Sequence, residues 1–489
     1  MKICVGQINP TVGAVEKNEE KIASVISRAR QEGAELVVFP ELVLTGAPVH
    51  DLLFHKDFVD MCEESLARIA PLTKGLDVIL GSPALNNGYL YDSAVIFSNG
   101  KEYGRQFESR VCWEIQGKRV AVLVGEERLT EELGDIDLTV HLTASPWSPG
   151  QYEQRFSSLS KRAKKFSCPY LFVNLFGGND EWIFDGSSFY ISKEGNETWR
   201  APSFEESCSL ISQVKAPKLS SIEELHRALL LGIADYFNKQ LVEIAHIALS
   251  GGIDSSVTAV LATQALGKDR VRGLFLPSRF TSKESSFYVE QLVKNLGIPL
   301  QTISIEPMFE ASLKTVGELD GTAFENLQSR IRTTLLMALS NKANSMALGT
   351  GNKSEVALGY ATLYGDLTGA LLPLGDVFKT QVYELARHLK VIPETIIERV
   401  PTAELHPNQH DTDDLPEYRD LDPLLEELVL KGASAHKIVS KISKGQLYDL
   451  QRKMWTAEYK RRQSPPILRV SNRAFGSEAR YPIANGLRF

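Results

Sequence analysis

The chain has 489 residues, 43% hydrophobic and 24% charged, with a formal net charge of −7 at pH 7. That length exceeds one ordinary core and calls for about two to four domains, and the acidic balance argues against a general nucleic-acid binder while leaving room for a local site for a phosphorylated small molecule. Five scattered cysteines make no disulfide framework and suit a reducing compartment; with no signal-like start and no run of about 18 apolar residues, a cytoplasmic protein with no membrane association is expected.

From Met1 to about Ser212, short β-rich runs (Glu35–Phe39, Val78–Gly81, Ser93–Phe97, Arg119–Val124, Leu138–Leu142, Tyr170–Asn174, Ser188–Ile191) alternate with one clear helix at Val15–Glu32. This pattern predicts a layered α+β sandwich. The stretch 215–221, with Pro217 among Lys and Ser neighbours, follows neither period and reads as a linker between a domain 1–214 and a domain 222–489. Beyond it the rhythm changes. Helices at Ile222–Asn238, Ser282–Asn295 and Asn326–Asn344 alternate with strands at Ile244–Leu249, Val271–Leu276, Gln301–Ser304 and Met346–Thr350. Such alternation predicts an α/β, Rossmann-like parallel sheet whose sites gather at the carboxyl ends of the strands.

One such end carries Ser250-Gly251-Gly252-Ile253-Asp254-Ser255-Ser256, between an apolar strand and a helix-like run. Adjacent glycines admit an anion close to the backbone, and serine hydroxyls and free helix N–H groups can donate to its oxygens. Asp254 adds a carboxylate for Mg²⁺. The turn lacks the lysine of a Walker A loop. S-G-G-x-D-S instead resembles the pyrophosphate loop of ATP pyrophosphatases, which split ATP into AMP and pyrophosphate.

Four further segments follow in order: Glu325–Arg332, Gly349-Thr350-Gly351-Asn352-Lys353-Ser354-Glu355, Gly365–Gln381, and Pro401–Asp413. Together with the cradle they resemble the NAD synthetase family. The resemblance implies ATP and pyrophosphate contacts for Ser250, Gly251, Gly252, Asp254, Ser255, Ser256, Thr350 and Lys379, with Lys379 and Asp254 catalytic. It implies Mg²⁺ on Asp254 and Glu355, so that Asp254→Ala is expected to stop turnover with the fold intact. Asn326, Arg330, Arg332, Lys353 and Asp366 are expected to hold nicotinic acid adenine dinucleotide, arginine being suited to carboxylate and phosphate by its planar fork. His406 stands where arginine is commoner in the family's active-site loop, and Pro407 opposes a helix that would align it with His410 as a metal pair. Another synthetase of this loop class and a non-catalytic dinucleotide-binding protein are the rival readings. The Asn326–Arg332 helix speaks against the first, and the usable chemistry kept at every matched position speaks against the second.

The front half, through Pro40-Glu41, Asn174, Gly177-Gly178-Asn179 and Phe184-Asp185-Gly186, resembles the nitrilase-like glutaminase domain of the larger NAD synthetases, an α-β-β-α sandwich. That domain uses a Glu base, a Lys and a Cys nucleophile. Glu41 matches the base, but Gly125 stands where the cysteine belongs, and no lysine lies between Gly104 and Trp113. A degenerate glutaminase is therefore expected, with ammonia as the direct nitrogen donor, the alternative being a glutamine-dependent enzyme that uses another nucleophile or a separate glutaminase. Cys112 is expected to be a packing residue and the front domain to serve homo-oligomer assembly.

Overall fold

The computed structural model describes residues 1–106, 111–125, 135–212, 214–407, 409, 415–484 and 486. The chain divides into two units, Met1–Glu224 and Leu225–Phe489.

In the first unit the strands are β1 (Ile3–Gln7), β2 (Leu36–Val38), β3 (Asp77–Asn86), β4 (Tyr89–Ser98), β5 (Lys101–Gln106), β6 (Cys112–Ile115), β7 (Lys118–Val124), β8 (Leu138–Thr143), β9 (Tyr170–Asn174), β10 (Phe176–Asn179), β11 (Trp182–Asp185), β12 (Phe189–Ile191), β13 (Glu197–Arg200) and β14 (Ser207–Leu210). Two six-stranded sheets result, ordered β14-β1-β2-β3-β4-β5 and β13-β12-β9-β8-β7-β6. Because side chains alternate across a strand, each sheet has two apolar faces with separate tasks. Ile3, Val5, Val38 and Ile96 meet Val120, Val122, Val140 and Leu171 between the sheets. Cys4, Val37, Val78 and Val95 face helices α1 (Val15–Gln31) and α2 (Lys56–Ile69) through Ile22, Ile26, Cys62 and Leu66. Ala121, Leu123 and Phe172 pack instead against Tyr152, Leu159 and Ala163 of α3 (Gln151–Lys165). The order α-β-β-α follows.

Two of these helices exceed the single one expected in this half. The buried stripe of α3 includes Arg155 among Tyr152, Leu159 and Ala163, so its apolar period is broken by a charge that only the fold satisfies. Residues 215 and 216 are also less free than a linker: Lys215 bridges to Arg200, and the Ala216 N–H donates to the Arg200 carbonyl at 3.0 Å.

In the second unit, β15 (Ala245–Leu249), β16 (Val271–Phe275), β17 (Leu300–Thr302) and β18 (Met346–Leu348) form one parallel sheet ordered β17-β16-β15-β18. The first strand in sequence is thus central, and the order reverses beside it, so that the loops after the neighbouring strands β15 and β18 leave the sheet side by side. Its helices are α4 (Ser221–Lys239), which begins in the last residues of the first unit, α5 (Ile253–Leu266), α6 (Lys283–Leu296), α7 (Glu306–Val316), α8 (Gly321–Lys342), α9 (Lys353–Leu358), α10 (Lys379–Leu389), α11 (Glu394–Ile397), α12 (Tyr418–Val429), α13 (Lys444–Thr456) and α14 (Glu458–Arg461). Leu421, Leu425, Leu447 and Leu450 pack around Val356 and Leu358 of α9. Among the described residues no helix is long and apolar enough to cross a membrane.

Candidate active site

The turn after β15 is shaped by Gly251, whose φ of +81° suits glycine. A Cβ there would lie 2.9 Å from the Ser285 carbonyl oxygen. Two of the expected phosphate donors are turned inward. The Ser255 and Ser256 hydroxyls donate to the Gly252 carbonyl at 3.1 and 2.8 Å, and both residues are buried. They brace the turn, because free helix-start hydroxyls close to a backbone acceptor bond it locally. Ser250 stays exposed and accepts from the Gly252 N–H at 3.2 Å.

Asp254 opens α5 and meets groups from two other loops. Lys379 Nζ lies 2.5 Å from Asp254 Oδ2 and 3.7 Å from Glu355 Oε1. Asn352 Nδ2 donates to Asp254 Oδ1 at 3.1 Å. Asn352 also caps α9 in a reciprocal box, accepting from the Glu355 N–H at 3.1 Å and donating its own N–H to Glu355 Oε2 at 3.2 Å. The grip of Asn352 on Asp254 depends on β15 and β18 being neighbours. Thr350, half-buried, lies two residues past the end of β18. Lys379 is buried at the start of α10, its main-chain N–H held by Ser354 Oγ at 3.0 Å and its ammonium 5.2 Å from the Tyr418 ring centroid. Ser354 in turn donates to Asp422, whose carboxyl is pushed up by burial. Asp254 and Glu355 are hard oxygen donors of the kind a divalent cation takes, and here both face the Lys379 ammonium.

The expected dinucleotide residues divide into three groups. Asn326, Arg330 and Asp366 converge on residues 362–366: Asn326 Oδ1 accepts from Thr362 Oγ1 at 2.6 Å, Arg330 Nε donates to the Leu363 carbonyl at 3.2 Å, and Asp366 accepts from Ser329 Oγ at 2.5 Å and the Thr362 N–H at 2.8 Å. Arg332 points elsewhere on α8, donating to the Leu276 carbonyl at 3.0 Å, where burial lowers its pKa against the opposing pull of Asp366, Glu404 and Glu306. Lys353 corrects the expectation outright. It is 0% exposed, with its ammonium bonded to Asp376 at 2.6 Å, Ser471 at 2.7 Å and the Arg473 carbonyl at 3.0 Å. A lysine so enclosed by chain atoms holds α9 against the C-terminal segment and has no donor left for a substrate. His406 Nε2 lies 3.5 Å from Glu325, and His410 is outside the described residues.

In the first unit, Gly125 follows β7 with φ +58°, and a Cβ built there would lie 3.1 Å from Glu41 Oε1. Glu41 Oε2 accepts from the Ala144 N–H at 2.6 Å. The Gly125 carbonyl receives His141 Nε2 at 2.7 Å; burial pushes the His141 pKa down to about 4, which keeps the ring neutral between Gly125 and the Tyr170 hydroxyl. Arg155, missed in the sequence, pairs with Asp185 at 3.0 Å and donates to the Ser145 and Pro146 carbonyls. Cys112 lies with the cluster that faces α3. Residues 107–110 of the expected lysine loop are outside the described residues.

The fold and the convergent loops define a two-unit α/β ligase: a nitrilase-like sandwich followed by a parallel-sheet synthetase unit. The NAD synthase family matches residues 225–464, and the carbon-nitrogen hydrolase family matches residues 2–138. The glutamine-dependent NAD(+) synthetase of Synechocystis sp. is 38% identical, covering 99% of this chain and 98% of its own, and that of Xylella fastidiosa (strain 9a5c) is 35% identical, covering 100% and 99%. Among solved structures, the glutamine-dependent NAD+ synthetase from Acinetobacter baumannii, in complex with adenosine diphosphate, matches with a TM-score of 0.78 at 29% identity over 99% of this chain and 98% of that one. The chain belongs to the two-domain NAD synthetase family. The names of these relatives give glutamine as their nitrogen source, which runs against the ammonia expected from Gly125. The alignment with the Synechocystis protein spans 547 positions, more than the 489 residues here, so that relative carries segments this chain lacks.

Proposed function

We propose that the chain amidates nicotinic acid adenine dinucleotide to NAD, with ATP converted to AMP and pyrophosphate. The observation that carries this reading is the meeting of Asp254, Glu355 and Lys379 at the Ser250 turn. The dinucleotide carboxylate attacks the α-phosphorus of ATP, the bond to the pyrophosphate oxygen breaks, and the carboxyl becomes an acyl-adenylate. Ammonia then attacks the acyl carbon, AMP leaves, and the amide nitrogen gives up its extra proton. Lys379 places a fixed positive charge against the charge that develops on the phosphates. Asp254 and Glu355 would hold Mg²⁺, which when bound neutralises phosphate charge. Exposed Arg330 presents a bidentate donor to the dinucleotide, beside Asn326 and Asp366.

For the nitrogen donor, Gly125 favours ammonia, free or released by a separate protein, because an acyl-enzyme thioester needs a thiolate where this chain has only hydrogen. The relatives' names favour glutamine, which here would require a nucleophile other than residue 125. Incubation of the dinucleotide and Mg-ATP with ammonium or with glutamine tests both readings. NAD, AMP and pyrophosphate from ammonium alone support the first; equal rates with glutamine, with glutamate released, establish the second. ADP and phosphate as products would refute adenylation.

A further inference from the structure

The segment from Arg399 to Leu405 joins the nucleotide turn to the dinucleotide helix. Glu404 adopts φ +49°, a left-handed conformation unusual for a side chain of this size. Such a conformation persists where the surroundings over-determine it, and here they do. Glu404 Oε1 accepts from Arg399 Nη2 at 2.6 Å, and Oε2 accepts from Ser285 Oγ at 2.9 Å and from the Ser282 N–H at 3.4 Å. Arg399 Nη1 reaches Ser285 Oγ at 2.8 Å and the Gly251 carbonyl at 3.4 Å, and its guanidinium lies 5.6 Å from the Tyr288 ring centroid. Ser285 is buried, and its carbonyl oxygen lies where a side chain at Gly251 would have to go, 2.9 Å from a Cβ built there. The next residue continues the chain of contacts. The Leu405 carbonyl accepts from Gln328 Nε2 of α8 at 2.8 Å, and its N–H donates to Gln409, which bonds Glu325 on the same helix.

We infer that Arg399 and Glu404 are positioning residues: one ion-paired latch that fixes the Gly251 turn and, through Leu405, ties it to the helix carrying Asn326 and Arg330. This inference rests on the proposed reaction. Both side chains are only 17% exposed, so solvent and salt screen the pair less than a surface bridge. Neither group contacts Asp254, Glu355 or Lys379 in the hydrogen bonds above; the latch acts on where the turn sits. Small displacement of a bound substrate is costly, about 10²-fold for about 1 Å. The latch also makes the two substrate sites parts of one body, so that each substrate orders the segment the other needs.

The test uses the full chain with saturating ammonium, and Glu404→Gln, Arg399→Ala, Arg399→Lys and the double variant Arg399→Ala/Glu404→Gln. Expected are kcat/KM for Mg-ATP lowered about 100-fold in each of the first two, partial recovery in Arg399→Lys, and a double variant no worse than either single one, the mark of groups acting as a unit. Calorimetry with Mg-bound α,β-methylene ATP should find weaker binding in Glu404→Gln and a dinucleotide affinity that no longer rises when the analogue is present. Additive losses, or kcat/KM within about threefold of wild type, overturn the latch. Should the wild-type chain form no NAD, the proposed reaction fails, and the latch is judged on analogue binding alone: tenfold weakening in Glu404→Gln upholds it and unchanged binding overturns it.

Discussion

Lys379 Nζ sits 2.5 Å from Asp254 Oδ2, with the lysine 2% exposed. The pair therefore joins a nucleotide-site carboxylate to a buried cation, and replacing one partner disturbs the other. Asp254→Ala would take from the ammonium its nearest carboxylate, Glu355 standing farther off at 3.7 Å, and loss of one partner of a buried pair costs about 3–5 kcal/mol. The expectation that this substitution spares the fold is thus revised. We predict that Asp254→Ala loses activity together with stability in urea unfolding, at the lower end of that range since Asp254 is partly exposed. Asp254→Asn should lose activity at least 100-fold with a smaller stability loss, which NAD formation and unfolding curves measured side by side would check.

Lys353 and Asp376 are both fully enclosed, 2.6 Å apart. Lys353→Met should destabilise the protein by about 3–5 kcal/mol, because Asp376 is left charged and buried without its cation. Lys353→Met/Asp376→Leu should recover most of the loss. Chemical denaturation of the three proteins checks this, and a raised KM for the dinucleotide at unchanged stability would return Lys353 to the substrate pocket.

Glu224, at the start of α4, is half-buried, and burial, followed by the charges of Asp185 and Glu153, pushes its carboxyl from 4.5 up to about 7 against the pull of Lys218. The folded state keeps a proton that the unfolded chain has released, so this group's stabilising contribution is full below about pH 4.5 and falls as pH rises through about 7. Glu224→Gln should raise Tm at pH 8 by a few degrees, equivalent to about 1 kcal/mol after allowance for partial exposure. Near pH 4.5 the two proteins should melt together. Differential scanning calorimetry across that range gives the comparison.

Gly125→Cys should release no glutamate from glutamine. The new Cβ would stand 3.1 Å from Glu41 Oε1 in a backbone conformation of φ +58° that side chains disfavour, and a thiol alone does not supply the oxyanion donor the reaction needs. Coupled glutamate detection, with and without ATP and dinucleotide, reads the outcome, and turnover restored by this single change would show that the rest of a glutaminase site is intact.

The order of motifs from Ser250 to Gln381, the strand and helix periods around them, and the glycine at position 125 were legible along the chain because each is local: a turn, a cap or a period needs only its neighbours. The α-β-β-α layering of the first unit followed from resemblance, yet α2 and α3 escaped the period, α3 because Arg155 interrupts its apolar stripe and is satisfied only by Asp185 and the Ser145 and Pro146 carbonyls. The sheet order β17-β16-β15-β18 decided the rest. It brings Asn352 and Glu355 beside Asp254, about a hundred residues away in sequence, and lets Lys379 close on both. Packing against Asp376, Ser471 and Arg473 buries Lys353, five residues after Leu348 ends β18, while Ser255 and Ser256 are turned inward locally by the Gly252 carbonyl. A lysine in a glycine-rich turn has one local signature whether it faces ligand or core, and only the residues packed against it from distant elements determine which.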